Sequence, residues 1–93
     1  MTLTLGGNIY LSGFQDVDPA QLVVLKKIVG HFVRQLNEKG TVEQLSLTLL
    51  SFDPSHVALQ GSLVFAGNEV HASHDDYNLF FALDKVLYQL YHV

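Results

Sequence analysis

The sequence predicts an α+β domain: a two-layer β-α-β-β-β-α sandwich whose four-stranded sheet carries both helices on one face. Three observations predict it. Two segments, one after Asp16 and one at the end of the chain, space their apolar residues at helical intervals. The stretches around them alternate apolar and polar residues, the period of a strand with one buried face. Only one sheet face is therefore apolar, and both helices must cover it. The 93 residues make a single domain, 1–93, with no internal repeat, linker or low-complexity stretch.

The elements follow in order. "NIYLSGF", Asn8 to Phe14, alternates and reads as the first strand. Leu3 and Leu5 extend it past a Gly6-Gly7 break, either as a bulge or as a separate ribbon. "DVDPAQLVVLKKIVGHFVRQLNEKG" is the clearest helix. Asp18 is its N-cap, Pro19 suits the first helical position, Gln21 stands where a capping-box partner belongs, and Gly40 is a C-terminal stop. Leu22, Leu25, Ile28, Val29, Phe32, Val33 and Leu36 fall on one face. Lys26, Lys27, Gly30 and Arg34 fall on the other.

"EQLSLTLLSF" sets Leu45, Leu47 and Leu49 against Gln44, Ser46 and Thr48, which predicts a half-buried antiparallel strand. Asp53-Pro54-Ser55 makes a turn. "HVALQGSLVF" alternates again, with Val57, Leu59, Leu63 and Phe65 inward. Gly67-Asn68 reads as a two-residue hairpin turn. That register sets Phe65 opposite Val70 and Leu63 opposite Ala72, with "EVHAS" as the fourth strand. Asn78 or Asp76 caps the last helix, whose core stripe is Leu79, Leu83, Val86, Leu87 and Leu90, with Ala82 and Phe80 at its edges.

Composition narrows the function classes. The chain is 48% hydrophobic and only 15% charged, against a usual charged share of about 25%. Disorder is excluded, since it needs low hydrophobicity and high charge. So low a charge also favours a surface partly covered by a partner. With no cysteine there is no disulfide framework and no thiolate metal site. "MTLTLGG" lacks the basic region and apolar core of a signal peptide. The apolar runs fall short of the ~20 residues of a membrane span. A cytoplasmic protein without a membrane partner is the expectation. The net charge of −4 argues against bulk binding of nucleic acid, so an RNA site would have to be local.

The closing "NLFFALDKVLYQL", together with the order of elements, resembles the ribosome hibernation promoting factor and ribosome-associated inhibitor family. Asn78 matches the family's helix cap, and Leu83-Asp84 matches its Ile/Leu-Asp pair. The likeness spans most of the chain as topology and the last helix as motif. A second likeness, to small archaeal proteins with a similar "DPA…VVLKKIVG" helix and "NLFFALDK" ending, brings no function with it. The family resemblance implies a β-α-β-β-β-α fold and a non-enzymatic module that docks on ribosomal RNA through basic helices. Here Lys26, Lys27, Arg34 and Lys39 stand on or just after the first helix, and Lys85 on the second.

Four groups of residues are candidates for function. The basic stripe of Lys26, Lys27 and Arg34, with His31 beside it and Gly30 between, suits RNA phosphates. The competing reading is a solvated face with Glu38 as an i,i+4 partner of Arg34. On the last helix, Phe81 and Tyr88 lie one heptad apart on the far side from Leu79, with Phe80 and Tyr91 at the core's edge. Aromatics flanked by charge suit an interface, a homodimer in particular, or base stacking. Cover by the N-terminal Leu3 and Leu5 would instead make them core. The outer sheet face of Tyr10, Ser12, Ser46, Thr48, Gln60, Ser62, Val64, His71 and Ser73 carries no formal charge apart from what His71 gains on protonation. It suits a flat self-contact or a plain wet surface. The histidines show no ligand spacing, and His71 and His74 point to opposite faces, so neither a metal nor any cofactor is expected. No nucleophile elbow or phosphate loop is present, and Asp75-Asp76 reads better as caps than as paired acids. No enzyme activity is predicted.

Overall fold

In a computed structural model, which describes residues 2–5 and 8–92, the elements are β1 (Thr2–Leu5), β2 (Ile9–Ser12), α1 (Pro19–Asn37), β3 (Val42–Asp53), β4 (His56–Phe65), β5 (Asn68–Asp76) and α2 (Leu79–Tyr91). The sheet order is the chain order. The four expected strands are β2 to β5. β1 adds a fifth, short edge strand, so the N-terminal segment takes the separate-ribbon form rather than the bulge. It runs antiparallel to β2 with Thr4 opposite Tyr10. The Gly6-Gly7 break lies outside the described residues. β2 and β3 are parallel, joined through α1, and the remaining pairs are antiparallel hairpins.

The inner sheet face is the apolar one. Leu11, Leu45, Leu47, Leu59 and Leu63 are buried there against Leu25, Val29, Leu83 and Val86 of the two helices. Both helices therefore share that face. Ile28, expected in the core stripe of α1, is instead partly exposed on the flank of α1 that turns toward α2.

The caps sit where side-chain chemistry puts them. Asp18 Oδ1 accepts from the Ala20 N–H at 2.8 Å, with Pro19 opening α1. Asn78 Oδ1 accepts from the N–H groups of Phe80 and Phe81 at 2.8 and 3.3 Å. At the other end α1 closes at Asn37, three residues before Gly40. Gly40 has no left-handed backbone; a Cβ there would lie 2.9 Å from Phe65 Cζ, so the glycine makes room for that ring.

The β4–β5 turn departs from the expected register. Its central residues are Ala66 and Gly67, with φ of 51° and 81°, not Gly67 and Asn68. Phe65 pairs with Asn68 and Leu63 with Val70. The mirror-image hairpin turn needs positive φ at both central positions. Ala66 accepts the first, and two contacts anchor the turn: the Ala66 N–H donates to Thr41 O, and the Gly67 N–H to Glu43 Oε1 at 2.9 Å. Glu43 reaches it because it lies at a register shift in β3. The slip is two residues, so every side chain keeps its face.

Candidate nucleic-acid interface

Charge is sorted by layer. All five Lys and Arg lie on α1, just after it, or on α2. Of the nine acids only Glu38 and Asp84 share those segments. The sheet and its turns carry Glu43, Asp53, Glu69, Asp75 and Asp76 and no Lys or Arg. The net charge of −4 thus conceals a basic layer on an acidic one.

Each expected cation can be placed. Lys27 and Arg34 are exposed on the outward face of α1, with His31 one turn from each. Lys26 is half-buried and lies about 100° round the helix from Lys27, on another flank. Lys85 is exposed on α2. Lys39 is drawn off the stripe, its Nζ 4.1 Å above the Tyr91 ring. Among the described residues no Lys or Arg forms an ion pair with a carboxylate; every such pair belongs to a histidine. The i,i+4 pairing of Arg34 with Glu38 is therefore not made, and the outward cations are uncommitted.

Among these cations lie uncovered rings. Phe81 is 64% exposed and Tyr88 61%, so neither is covered from within the chain. Phe80 and Tyr91 are half-buried against the core. Tyr88 and His92 have centroids 4.1 Å apart at an interplanar angle of 32°. Tyr91 tilts against Phe32 at 6.3 Å. Between α1 and α2, Phe32, Tyr88, Tyr91 and His92 line a groove of about 350 Å³, with Ile28, His31, Gln35 and Asp84 among its walls.

The outer sheet face differs from the charge-free surface expected. Residues 69, 71, 73 and 75 of β5 alternate onto one face, so Glu69 and Asp75 join His71 there. His71 lies 3.1 Å from Glu69, and His56 lies 3.2 Å from Asp75. β5 is an edge strand, and acidic side chains on an edge oppose sheet-to-sheet association.

One constellation on this face escaped sequence reasoning. Ser51 Oγ lies 3.2 Å from His56 Nδ1, and His56 Nε2 lies 3.2 Å from Asp75 Oδ2. The β3–β4 turn brings Ser51 to His56, five residues on, and the β4–β5 register brings Asp75 to His56 from 19 residues away. The order Ser-His-Asp is that of a nucleophilic relay, but it lies on open strand surface. Both contacts are solvent-exposed, and the arrangement is a surface hydrogen-bond chain. Two carboxyls at these strand ends are held below the usual carboxylate range. For Asp53 the leading cause is the Ser55 N–H, and for Asp76 the Tyr77 N–H, helped by the His74 side chain. Among the described residues no cluster of three or more potential ligands suits a metal ion. No helix is long and apolar enough to cross a membrane.

Comparison with known structures now bears on this arrangement. The N-terminal domain of Thermus thermophilus Protein Y superposes with a TM-score of 0.67 at 18% identity, over 90% of this chain and 91% of that one. The fold is that of the Protein Y N-terminal domain. A ribosomal subunit interface protein from Coxiella burnetii matches with a TM-score of 0.54 at 8% identity, over 89% of this chain and 86% of its own. No family model and no curated protein matches the sequence. The family likeness carried by Asn78 and Leu83-Asp84 thus has structural neighbours of the same kind, and at these identities they establish the fold.

Proposed function

We propose that this chain is a non-enzymatic, ribosome-associated module of the cytoplasm that docks on RNA phosphates through its helical layer. The observation that carries this is the sorting of charge: all five Lys and Arg collect on one layer, and among the described residues none pairs with a carboxylate. Cations left unpaired on a helix surface are available to displace counterions from a phosphate backbone. Lys27 and Arg34 are the leading contacts, Lys85 supplies a second point on α2, and Lys26 and Lys39 contribute from the margins. The likeness in fold to a ribosomal subunit interface protein from Coxiella burnetii supports the choice of RNA.

Sedimentation of the purified chain with ribosomes through a low-salt sucrose gradient tests it. Wild type should travel with ribosomal particles and be stripped by added salt. Lys27→Glu/Arg34→Glu should stay at the top of the gradient with an unchanged melting curve. In a binding assay each lost phosphate contact should lower the salt slope by about 0.7–0.9. A wild-type chain that never leaves the top fractions at low salt defeats the proposal.

A second reading is favoured by Phe81 and Tyr88, more than half exposed on one helix face. Large exposed rings suit self-association through α2, with Phe80 and Tyr91 at the rim. His71, beside Glu69 on the outer sheet, is the less suited contact. Light scattering decides between them: a monomer at high concentration removes the dimer, and a dimer broken by Phe81→Ser/Tyr88→Ser establishes it.

A further inference from the structure

We propose that the groove between α1 and α2 accepts an unstacked guanine base of the docked RNA. This rests on the RNA reading above and adds the base class that the site selects.

The groove has the size and walls for a planar ring. Its volume of about 350 Å³ lies at the small end of the usual range for ligand pockets and leaves ample room for one base. Tyr88 offers an uncovered face, and His92, 4.1 Å away and tilted by only 32°, continues the stack on its other side. Tyr91 is already spoken for by Phe32 and by the Lys39 ammonium. Base–aromatic stacking of this kind binds any base and so supplies affinity without sequence choice.

Selection needs a polar group, and Asp84 is oddly placed for anything else. It is the only acid on α2 and lines the groove amid the basic layer. Among the described residues its side chain makes no ion pair or hydrogen bond, and the same holds for the side chains of Gln35 and His31 on the facing wall. A bare carboxylate on a phosphate-docking surface repels the ligand unless it is matched by donors. Guanine is the base that supplies them, because its N1–H and N2–H lie side by side and point the same way. Adenine and cytosine set an acceptor beside their amino group, and uracil has a single N–H between two carbonyls. A carboxylate gripping guanine's paired donors leaves the phosphates on either side to Lys27, Arg34 and Lys85.

Two probes test this on the full chain. Free GMP and AMP are titrated against ¹⁵N-labelled protein, and fluorescein-labelled UUGUU and UUAUU are compared by anisotropy. GMP should move the amide signals around His31, Asp84 and Tyr88 more than AMP does. UUGUU should bind about tenfold more tightly than UUAUU, the discrimination of one bidentate contact. Asp84→Asn, which turns one acceptor into a donor on an exposed side chain, should erase that preference. Tyr88→Ala should weaken both oligonucleotides about tenfold. Lys27→Glu/Arg34→Glu should weaken both equally and leave the preference intact. Equal affinity for the two oligonucleotides, or a GMP titration that leaves the groove signals unmoved, overturns the inference even if ribosome co-sedimentation succeeds. A guanine preference abolished by Asp84→Asn, without ribosome co-sedimentation, upholds it and defeats the ribosomal reading instead.

Discussion

Gly61→Ala should destabilise the domain, and the structure gives both the sign and the size. Gly61 sits on the inner face of β4 beneath α2. A Cβ there would lie 2.7 Å from Val86 Cγ1, 3.1 Å from Leu90 Cδ1 and 3.2 Å from Leu47 Cδ2. All three neighbours are buried, so none can swing into solvent. Overpacking of this kind costs about 1–3 kcal/mol. Against it stands the backbone entropy regained on losing a strand glycine, about 0.5–1 kcal/mol. The net loss is about 1–2 kcal/mol, and at roughly 4–8 °C per kcal/mol for a domain of this size the melting temperature should fall by about 10 °C. Urea and thermal unfolding followed by circular dichroism measure it. Gly30→Ala is the internal control. Nothing lies within 4 Å of its Cβ position on α1, so helix propensity alone operates and should stabilise by up to about 1 kcal/mol. Gly61→Ala at or above wild-type stability would refute the reasoning, as would a Gly30→Ala variant that melts lower.

The remaining predictions concern the ends of β5 and α2. Asn78→Ala strips the acceptor from the N–H groups of Phe80 and Phe81 and should cost about 0.5–2 kcal/mol in urea unfolding. Asp76 is held below its ordinary value of 3.8, chiefly by the Tyr77 N–H. A depressed folded-state pKa stabilises above the unfolded value and is lost as pH falls through the folded one. Wild type should therefore outlast Asp76→Asn near neutral pH, and the gap should close as the pH is lowered below about 4. A gap that widens with acid would reverse the sign of the argument.

Local chemistry made much of this fold legible. Asp18-Pro19 and Asn78 each combine a capping side chain with the right neighbour, and both helices start where those residues stand. Strict alternation in "HVALQGSLVF" marked β4 to its ends. What escaped depends on contacts made from a distance. The hairpin turn could have been centred on either side of Gly67, and it is Glu43, reaching from a bulge in β3, that holds it on Ala66-Gly67. Gly40 does help close the helix end, its N–H donating to Leu36 O at 3.1 Å, yet the need for a glycine there comes from the Phe65 ring of another strand. The Ser51-His56-Asp75 chain exists only through strand pairing across 24 residues, which no spacing announces.

The candidate surface was legible in part for the same reason. Helical periodicity placed Phe81 and Tyr88 outward, because the stripe from Leu79 to Leu90 leaves them no other side. The significance of charge was harder to read. A single net value of −4 averages a helical layer holding five cations and two acids with a sheet layer holding acids alone. Electrostatic attraction to a polyanion is screened over about 8–10 Å at physiological ionic strength. The thinnest dimension of the domain is 19 Å, about two screening lengths, so acids on the outer sheet side count for little against phosphates beyond the helix side. On the proposed reading the local sign governs docking, and it is positive on the face that also bears the uncovered rings and the groove. Asp84 is the one acid lining the groove, and whether it repels the ligand or reads it is what separates a nonspecific basic patch from a selective one.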